Sequence, residues 1–438
     1  MAGTALSSSY KSNIFHYVAP AVLTNVCSFL FSVVDGLFVG NGVGTAALAS
    51  VNICVPFVTI SIALNMMASI GGVTIGAVRI GRGDTKGANQ VFLHSLLFSL
   101  VLGIILTLLG TLLTPQIATL LGATETYHEM TQQYLFWWAL FIIPNFLSMN
   151  LQGFCRNDGE PGLVAIATVA GTVVNVFLDW LLVYPLQTGV EGAAIATGMS
   201  QVTTLVVVLV HFFRKRGILR FKLFKPAKSL FAQIAYRGMP EMIAQFSSPL
   251  MTLWMNRSIA KYIGDLGVNS FSVISYISSL TLAMLFGASE GMQPLLGQSY
   301  GAGKDKDVKF YFKSGMFIAI FGSAAVVALF FFFNQEVAML FGAKGEVLEE
   351  VEKHFLPFSW GFVLAGVSTM VSGYLYSTMH SKMAICLNFF RSFVAKTVFI
   401  LGLPAVFGAG IVWYSYGISE ISVFLMAVIM TWAVNRKK

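Results

Sequence analysis

Asn175-Val-Phe-Leu-Asp179 places an amide and a carboxylic acid four residues apart inside the apolar run 161–185, and the chain then returns through Gly189-Val-Glu-Gly-Ala-Ala-Ile-Ala-Thr197. Residues four apart lie on one face of a helix. An acid within a lipid-like helix is costly and usually faces a cavity or a partner. A second acid, Asp35, lies near the end of the first apolar run, in Phe31-Ser-Val-Val-Asp-Gly-Leu-Phe-Val-Gly40. These three segments are expected to meet around a small cation.

The setting of these acids decides the fold class. Hydrophobic residues make up 56% of the chain and charged residues 11%, with a mean hydropathy of +0.76. Apolar runs of about 20 residues follow one another from end to end, which is the pattern of an all-α polytopic membrane protein. Twelve spans are expected, near 14–40, 47–76, 91–113, 131–154, 161–185, 190–213, 232–258, 268–298, 310–333, 354–377, 383–405 and 411–434. The first is not expected to be a cleavable signal, because its run is long, carries Asp35 and lacks a small-residue cleavage site.

The net charge of +8 raises nucleic acid as a partner, but its distribution argues against that. Basic residues fall in alternate loops: Arg79, Arg82 and Lys86; Arg156; Arg214-Lys-Arg216 through Arg220, Lys222, Lys225 and Lys228; Lys304, Lys306, Lys309 and Lys313; Lys382; and Arg436-Lys-Lys438. The intervening loops near 41–46, 185–190 and 406–411 have none, and 114–130 carries only acids and a histidine. This charge bias predicts both termini in the cytoplasm. Cys27, Cys54, Cys155 and Cys386 have no metal-ligand spacing and read as buried, inert thiols.

The basic loop 214–230 divides the chain into an N-terminal six-span lobe, 1–213, and a C-terminal one, 231–438. Pro20 and Pro240, Gly71 and Gly291, Gly81 and Gly301, and Gly83 and Gly303 recur at a constant spacing of 220. The passages Arg79-Ile-Gly-Arg-Gly-Asp-Thr-Lys86 and Tyr300-Gly-Ala-Gly-Lys-Asp-Lys306 occupy the same place in each half. Six spans per repeat give both copies one orientation, so a pseudo-two-fold axis along the membrane normal is expected, with a cavity between the halves. The repeat fails at the acids. Asp35 faces Met255, Asn175 faces Ala395, and Asp179 faces Phe399. That asymmetry favours a functional role for the first-lobe acids over a structural one.

Depth supports a shared site. At a rise of 1.5 Å per residue, Asp35 and Asp179 lie about 8–9 Å inside the outer ends of their helices, and Thr197 about 10 Å below the outer start of its own. Two carboxylates, an amide oxygen and a hydroxyl form an all-oxygen set for Na⁺, and two close acids can equally carry H⁺. Two unrelated capping or packing acids are the competing reading. Pro20 removes a backbone hydrogen bond inside the first helix and permits a bend there, or a static kink.

Candidates for a substrate cavity lie in the second lobe: Glu241, Met255, Glu290 with the adjoining Gly291 and Met292, and Lys396. A Glu–Lys or Glu–Arg pair that locks the lobe, using Arg391 or Lys396, is the alternative. Glu420 is unexplained at this level. Abundant Met and Phe suit an adaptable cavity, although such residues also face lipid. Gly301-Ala-Gly-Lys304 lacks the spacing and the hydroxyl of a phosphate-binding loop. No nucleophile elbow or paired histidines are present. An enzyme, and any organic cofactor, are therefore not expected. A secondary transporter remains.

The chain resembles the MATE (multidrug and toxic compound extrusion) family along nearly its whole length. The resemblance rests on the Pro20-to-Asp35 helix, Arg79-Ile-Gly-Arg-Gly-Asp84, Arg156-Asn-Asp-Gly159 with Asn175-x-x-x-Asp179, Gly192-Ala-Ala-x-Ala-Thr197 and Gly297-Gln-Ser-Tyr-Gly-Ala-Gly303. Ser289-Glu-Gly-Met-Gln-Pro294 looks most like the Mep-type bacterial multidrug pumps. The resemblance implies a plasma-membrane exporter that exchanges H⁺ or Na⁺ for amphipathic organic cations. It also implies a first-lobe cation site at Asp35, Asn175, Asp179 and Thr197. Some members use second-lobe acids instead, but Met255 and Phe399 stand at the repeat-equivalent positions here. A flippase for a lipid-linked saccharide or peptidoglycan precursor is the alternative, and a non-transporting sensor or scaffold a third reading. The internal duplication makes a working monomer the expectation.

Overall fold

The computed structural model describes residues 14–215, 217–340 and 343–436. Arg216, Lys437 and Lys438 of the basic loops, and residues 1–13 of the expected first lobe, lie outside the described residues. The described chain is all-helical and folds as two compact units, Phe15–Gly238 with Gly301–Gly303, and Met239–Tyr300 with 304–436.

The first unit begins with α1 (Ile14–Phe38), which runs without a break through Pro20 and ends in a π turn, Val39–Val43. It continues through α2 (Thr45–Gly81), α3 (Thr85–Leu112), the short α4 (Thr114–Leu120), α5 (Glu125–Leu140), α6 (Ile142–Asn157), α7 (Pro161–Val183) and α8 (Gly189–Phe213). Helix α9 (Lys228–Ala244) leads into the second unit. There follow α10 (Ser247–Tyr262), α11 (Asp265–Gly301), α12 (Asp305–Phe332), α13 (Asn334–Leu340), α14 (Glu346–Ser359), α15 (Gly361–Ser377) and α16 (Ser381–Phe389). A π turn (Phe390–Ala395) joins α16 to α17 (Lys396–Phe407), and α18 (Val412–Arg436) closes the chain.

Among the described residues ten helical stretches are long and apolar enough to cross a bilayer, and α5 with α6, bent by 47°, make an eleventh. Helices α9 and α10, expected as one span, are interrupted at residues 245 and 246 and do not meet that criterion. Two continuous spans expected from hydropathy, 131–154 and 232–258, are thus broken ones. Pro144 explains the first break: it has no N–H for the carbonyl of Leu140, so the helix stops there and restarts at Ile142. The outward faces carry large apolar side chains, among them Phe15, Leu120, Phe332 and Val406, each at least three-quarters exposed. Such faces suit lipid, while backbone polar groups are satisfied within each helix.

In the first unit, α7 and α8 form the most extensive pairing. Gly171 makes it close: a Cβ there would come within 2.3 Å of Thr204 Oγ1 and 2.8 Å of the Ser200 carbonyl oxygen. Helix α1 is attached differently. Its buried side chains are Tyr17, Val18, Ala21 and Thr24, and the π turn at its far end is what packs on α2, α7 and α8. Polar residues along α1 are satisfied by the carbonyl one turn back, as in Thr24 to Pro20 (2.9 Å), Ser28 to Thr24 (2.9 Å) and Ser32 to Ser28 (3.2 Å). Back-bonding of this kind makes a helix easier to bend.

The basic stretch after α8 is pinned rather than free. Asp158 accepts from His211 Nε2 (2.9 Å) and from the Ile218 N–H (2.8 Å). Asn89 accepts from the Arg220 N–H (2.6 Å), and the Ala227 N–H donates to His94 Nε2 (2.9 Å). The motif Arg156-Asn-Asp-Gly159 is therefore an anchor for this stretch. Likewise Gly83, at φ +73°, turns the chain so that Asp84 caps α3 by accepting from the Gly87 N–H at 2.8 Å.

The core of the second unit gathers Met255, Ile259, Phe271, Phe358, Trp413 and Tyr416. The expectation of four buried thiols is corrected: Cys54 and Cys155 are buried, but Cys27 is half-buried and Cys386 exposed. Hydropathy cannot separate a core-facing thiol from one on the outer face of the same helix.

Candidate functional site

The structure brings Asp35 of α1, Asn175 and Asp179 of α7 and Thr197 of α8 into one cluster within the first unit. Asn175 and Asp179 are fully buried. Thr197 is the side-chain neighbour of Asp35, Asn175 that of Asp179, and the two carboxylates sense each other's charge. None of these pairs closes into a well-formed hydrogen bond. Asp35 Oδ1, both Asp179 oxygens, Asn175 Oδ1 and Nδ2, and Thr197 Oγ1 are all enclosed without a hydrogen-bond partner. A buried polar atom left unpaired costs about 1–3 kcal/mol. Six such atoms fall on four neighbouring residues, an arrangement chemically able to accept a proton or a small cation. Among the described residues there is no group of three or more His, Cys, Asp or Glu that could hold a metal ion. The donor set is instead oxygen-rich with two carboxylates, which suits a proton or a hard monovalent cation.

Two further features adjoin this cluster. Tyr134 of α5, a buried residue, lies close to Asp35, Cys54 and Asp179. It was missed in the sequence, where it reads as one more aromatic in a membrane span. A cavity of about 10 Å³, lined by Trp138, Phe141, Ile142, Asn145, Thr197, Gly198 and Gln201, opens beside Thr197. It is at the lower limit for one water molecule. Gly198 admits the Phe141 ring, which a Cβ would meet at 2.1 Å, so the α5–α6 break is fitted against the turn that carries Thr197.

The second-unit candidates are placed otherwise. Lys396 is buried, donates to the Ser247 carbonyl (3.0 Å) and hydroxyl (2.5 Å), and lies 5.7 Å from the centre of the Tyr416 ring. Arg391, at the start of the π turn, sits 3.8 Å from Glu420 and donates to Thr369 Oγ1 at 2.7 Å. The Ser368 hydroxyl donates to the other Glu420 oxygen at 3.5 Å. Glu241 accepts from Gln245 at 3.4 Å, with Tyr376, Glu290 and Arg391 nearby; Gln293 in turn donates to the Tyr376 hydroxyl. Met255 and Met292 are wholly buried, as is Gly291, and Ser415 contacts the Met255 sulfur at 3.7 Å. Met255 is thus core, and Lys396 is occupied within its own unit. Glu290 is half-buried.

Taken together, the fold and the cluster define a polytopic helical membrane protein of two six-span lobes with an ionisable oxygen site in the first. The chain belongs to the MatE family, whose sequence model matches it twice, over residues 20–181 and 240–401. It is 24% identical over 435 residues to the multidrug export protein MepA of Staphylococcus saprophyticus, covering 97% of this chain and 95% of that one. MepA of Staphylococcus aureus is 24% identical over 413 residues, covering 92% and 90%. Among solved structures, an outward-facing multidrug resistance MATE transporter of the MOP superfamily superposes with a TM-score of 0.89 at 24% identity, covering 97% and 96%. A MATE crystal structure in the straight conformation gives 0.90 at 24% identity, covering 98% and 97%.

Proposed function

We propose that this protein is a cation-coupled multidrug exporter of a bacterial plasma membrane, working as a monomer with both termini in the cytoplasm. Asp35, Asn175, Asp179 and Thr197 take up H⁺ or Na⁺, and uptake is exchanged for an amphipathic organic cation by alternating access. The observation that carries this reading is the set of six enclosed, unpartnered polar atoms on those four residues. Asp35 contributes its carboxylate from α1, the least buried of the ten spans among the described residues and one with an internal Pro20. Cation uptake by the acids would draw α1 toward α7 and α8, and release would let it relax. Pro20 lets that motion stay within one helix.

The names of the MepA relatives support small organic molecules as cargo. A flippase for a pyrophosphate-linked lipid would need free cations deep in the spans. Of the three buried ones, Arg391 and Lys396 are taken by Glu420 and Ser247, and Arg156 lies at the end of α6, outside the depth of the spans. A non-transporting sensor would have no use for the unpaired acids.

The test is ethidium movement in proteoliposomes under a pH gradient and a Na⁺ gradient imposed separately. One gradient should drive transport, and Asp35→Asn should stop it. Absence of transport under both gradients sinks the proposal.

A further inference from the structure

The far end of α10 carries two basic residues that break the charge pattern of the chain. Arg257 and Lys261 sit in its last turns, at the end of the span away from the basic stretch 214–228. They are four residues apart and so share one face. Both are exposed. Among the described residues Arg257 has no hydrogen-bond or ion-pair partner, and no carboxylate lies within ion-pair distance of either. Lys261 Nζ lies 5.0 Å from the centre of the Tyr262 ring.

These cations border a cavity of about 340 Å³ between α10 and α17, whose other walls are Trp254, Ser258, Tyr262, Leu401 and Ala405. The cavity is held open by fixed contacts behind it. Trp254 Nε1 donates to Thr397 Oγ1 at 3.0 Å, and Ser258 Oγ donates to the Ile400 carbonyl at 2.8 Å. The Trp254 and Ser258 donors are thereby spent inside the unit, which leaves the guanidinium, the ammonium and the Tyr262 hydroxyl as the wall groups without a hydrogen-bond partner among the described residues. Beside the cavity, Leu253, Val398 and Val406 are each more than half exposed and present an apolar surface.

We infer that this cavity binds the phosphodiester headgroup of an anionic phospholipid. A span end places it at the depth of lipid headgroups, where Trp and Tyr also prefer to sit. Arg257 meets the phosphate with a fork of N–H donors and Lys261 adds a second charge. The glycerol fits between Trp254 and Ala405, and the acyl chains run along Leu253 and Val398. Simple snorkelling of two basic side chains would explain their position but not the walled cavity, and it would show no preference among headgroups.

The experiment is native mass spectrometry of the full chain released from nanodiscs containing phosphatidylglycerol or phosphatidylcholine. One phosphatidylglycerol per chain should be retained about tenfold more than phosphatidylcholine. The double variant Arg257→Gln/Lys261→Gln should lose that preference. Ala405→Trp, which fills the cavity from the opposite helix and leaves both charges in place, should lose it too. Melting in detergent reports whether each variant is folded, and the two variants perturb different helices. Equal retention of both lipids in the wild type would overturn the inference, as would a preference that survives either variant. Displacement of the lipid by inorganic phosphate or glycerol 3-phosphate at equal concentration would also overturn it, since the site would then be one for soluble anions.

Discussion

The two units both bury ionisable side chains among apolar helices, but they partner them differently. In the second, Glu420 has Arg391 at 3.8 Å and a serine hydroxyl at 3.5 Å, and Lys396 has a carbonyl and a hydroxyl. In the first, Asp35 and Asp179 have each other, a threonine and an amide, and close no hydrogen bond with them. A buried charge with a partner of opposite sign is a structural lock. A buried acid facing another acid has no such account, and its persistence points to a ligand. The difference lies in whether the charge is answered inside the protein.

The largest effect expected from this contrast is loss of transport. Asp179→Asn and Asp35→Asn should each reduce ethidium efflux by about two orders of magnitude or more, because the coupling cation loses a carboxylate. Neither should lower the melting temperature, since removing an unanswered buried charge relieves desolvation. Efflux at the wild-type rate in either variant, or a marked loss of folding, would break the comparison.

The next effect is one of stability. Glu420→Gln leaves Arg391 buried beside a neutral amide, and breaking one partner of a buried pair costs about 3–5 kcal/mol. Thermal melting in detergent should therefore drop sharply for this variant while Asp179→Asn stays near the wild type. A Glu420→Gln protein that melts normally yet fails to transport would move Glu420 from the lock into the coupling machinery.

A smaller effect sharpens the first-unit site. Thr197→Val preserves shape and removes one oxygen of the cluster. The cation keeps both carboxylates and the amide, so efflux should fall only several-fold, with the loss appearing as a weaker apparent affinity for the driving cation. The net value of one ordinary hydrogen bond, about 0.5–1.5 kcal/mol, sets that scale. No change in cation dependence would place Thr197 outside the site.

How much of this was legible in the sequence follows from the range of the interactions involved. Span positions depend on local apolar runs, so hydropathy located the ten apolar spans and the bent eleventh. The pair Asn175 and Asp179 declares itself by helical spacing, and Asp35 by being an acid in lipid-like surroundings. The break at Phe141 is also local, because Pro144 forbids one hydrogen bond, but hydropathy alone makes the stretch one continuous span. Other features depend on which helices pack together. Glu420 finds Arg391 from another helix, and Tyr134 comes near the acids only because α5 packs on α2 and α8; neither has a local signature. Met255 was misread for a related reason. It stands where the repeat would put an acid, and that position suggested a cavity.

Met255→Leu tests that last point, and the smallest effect is expected from it. The side chain is fully enclosed, in a core that includes Ile259, Ile274 and Trp413, with Ser415 against its sulfur. A volume-conserving swap in such a core costs less than about 1.5 kcal/mol. Ethidium efflux and the spectrum of exported dyes should stay as in the wild type, because the residue is enclosed in the core of its unit. Altered dye selectivity in a normally melting Met255→Leu protein would show that α10 opens toward cargo during the cycle. The second unit would then contribute more than a locked frame, and the contrast between the two units would have to be redrawn around α10.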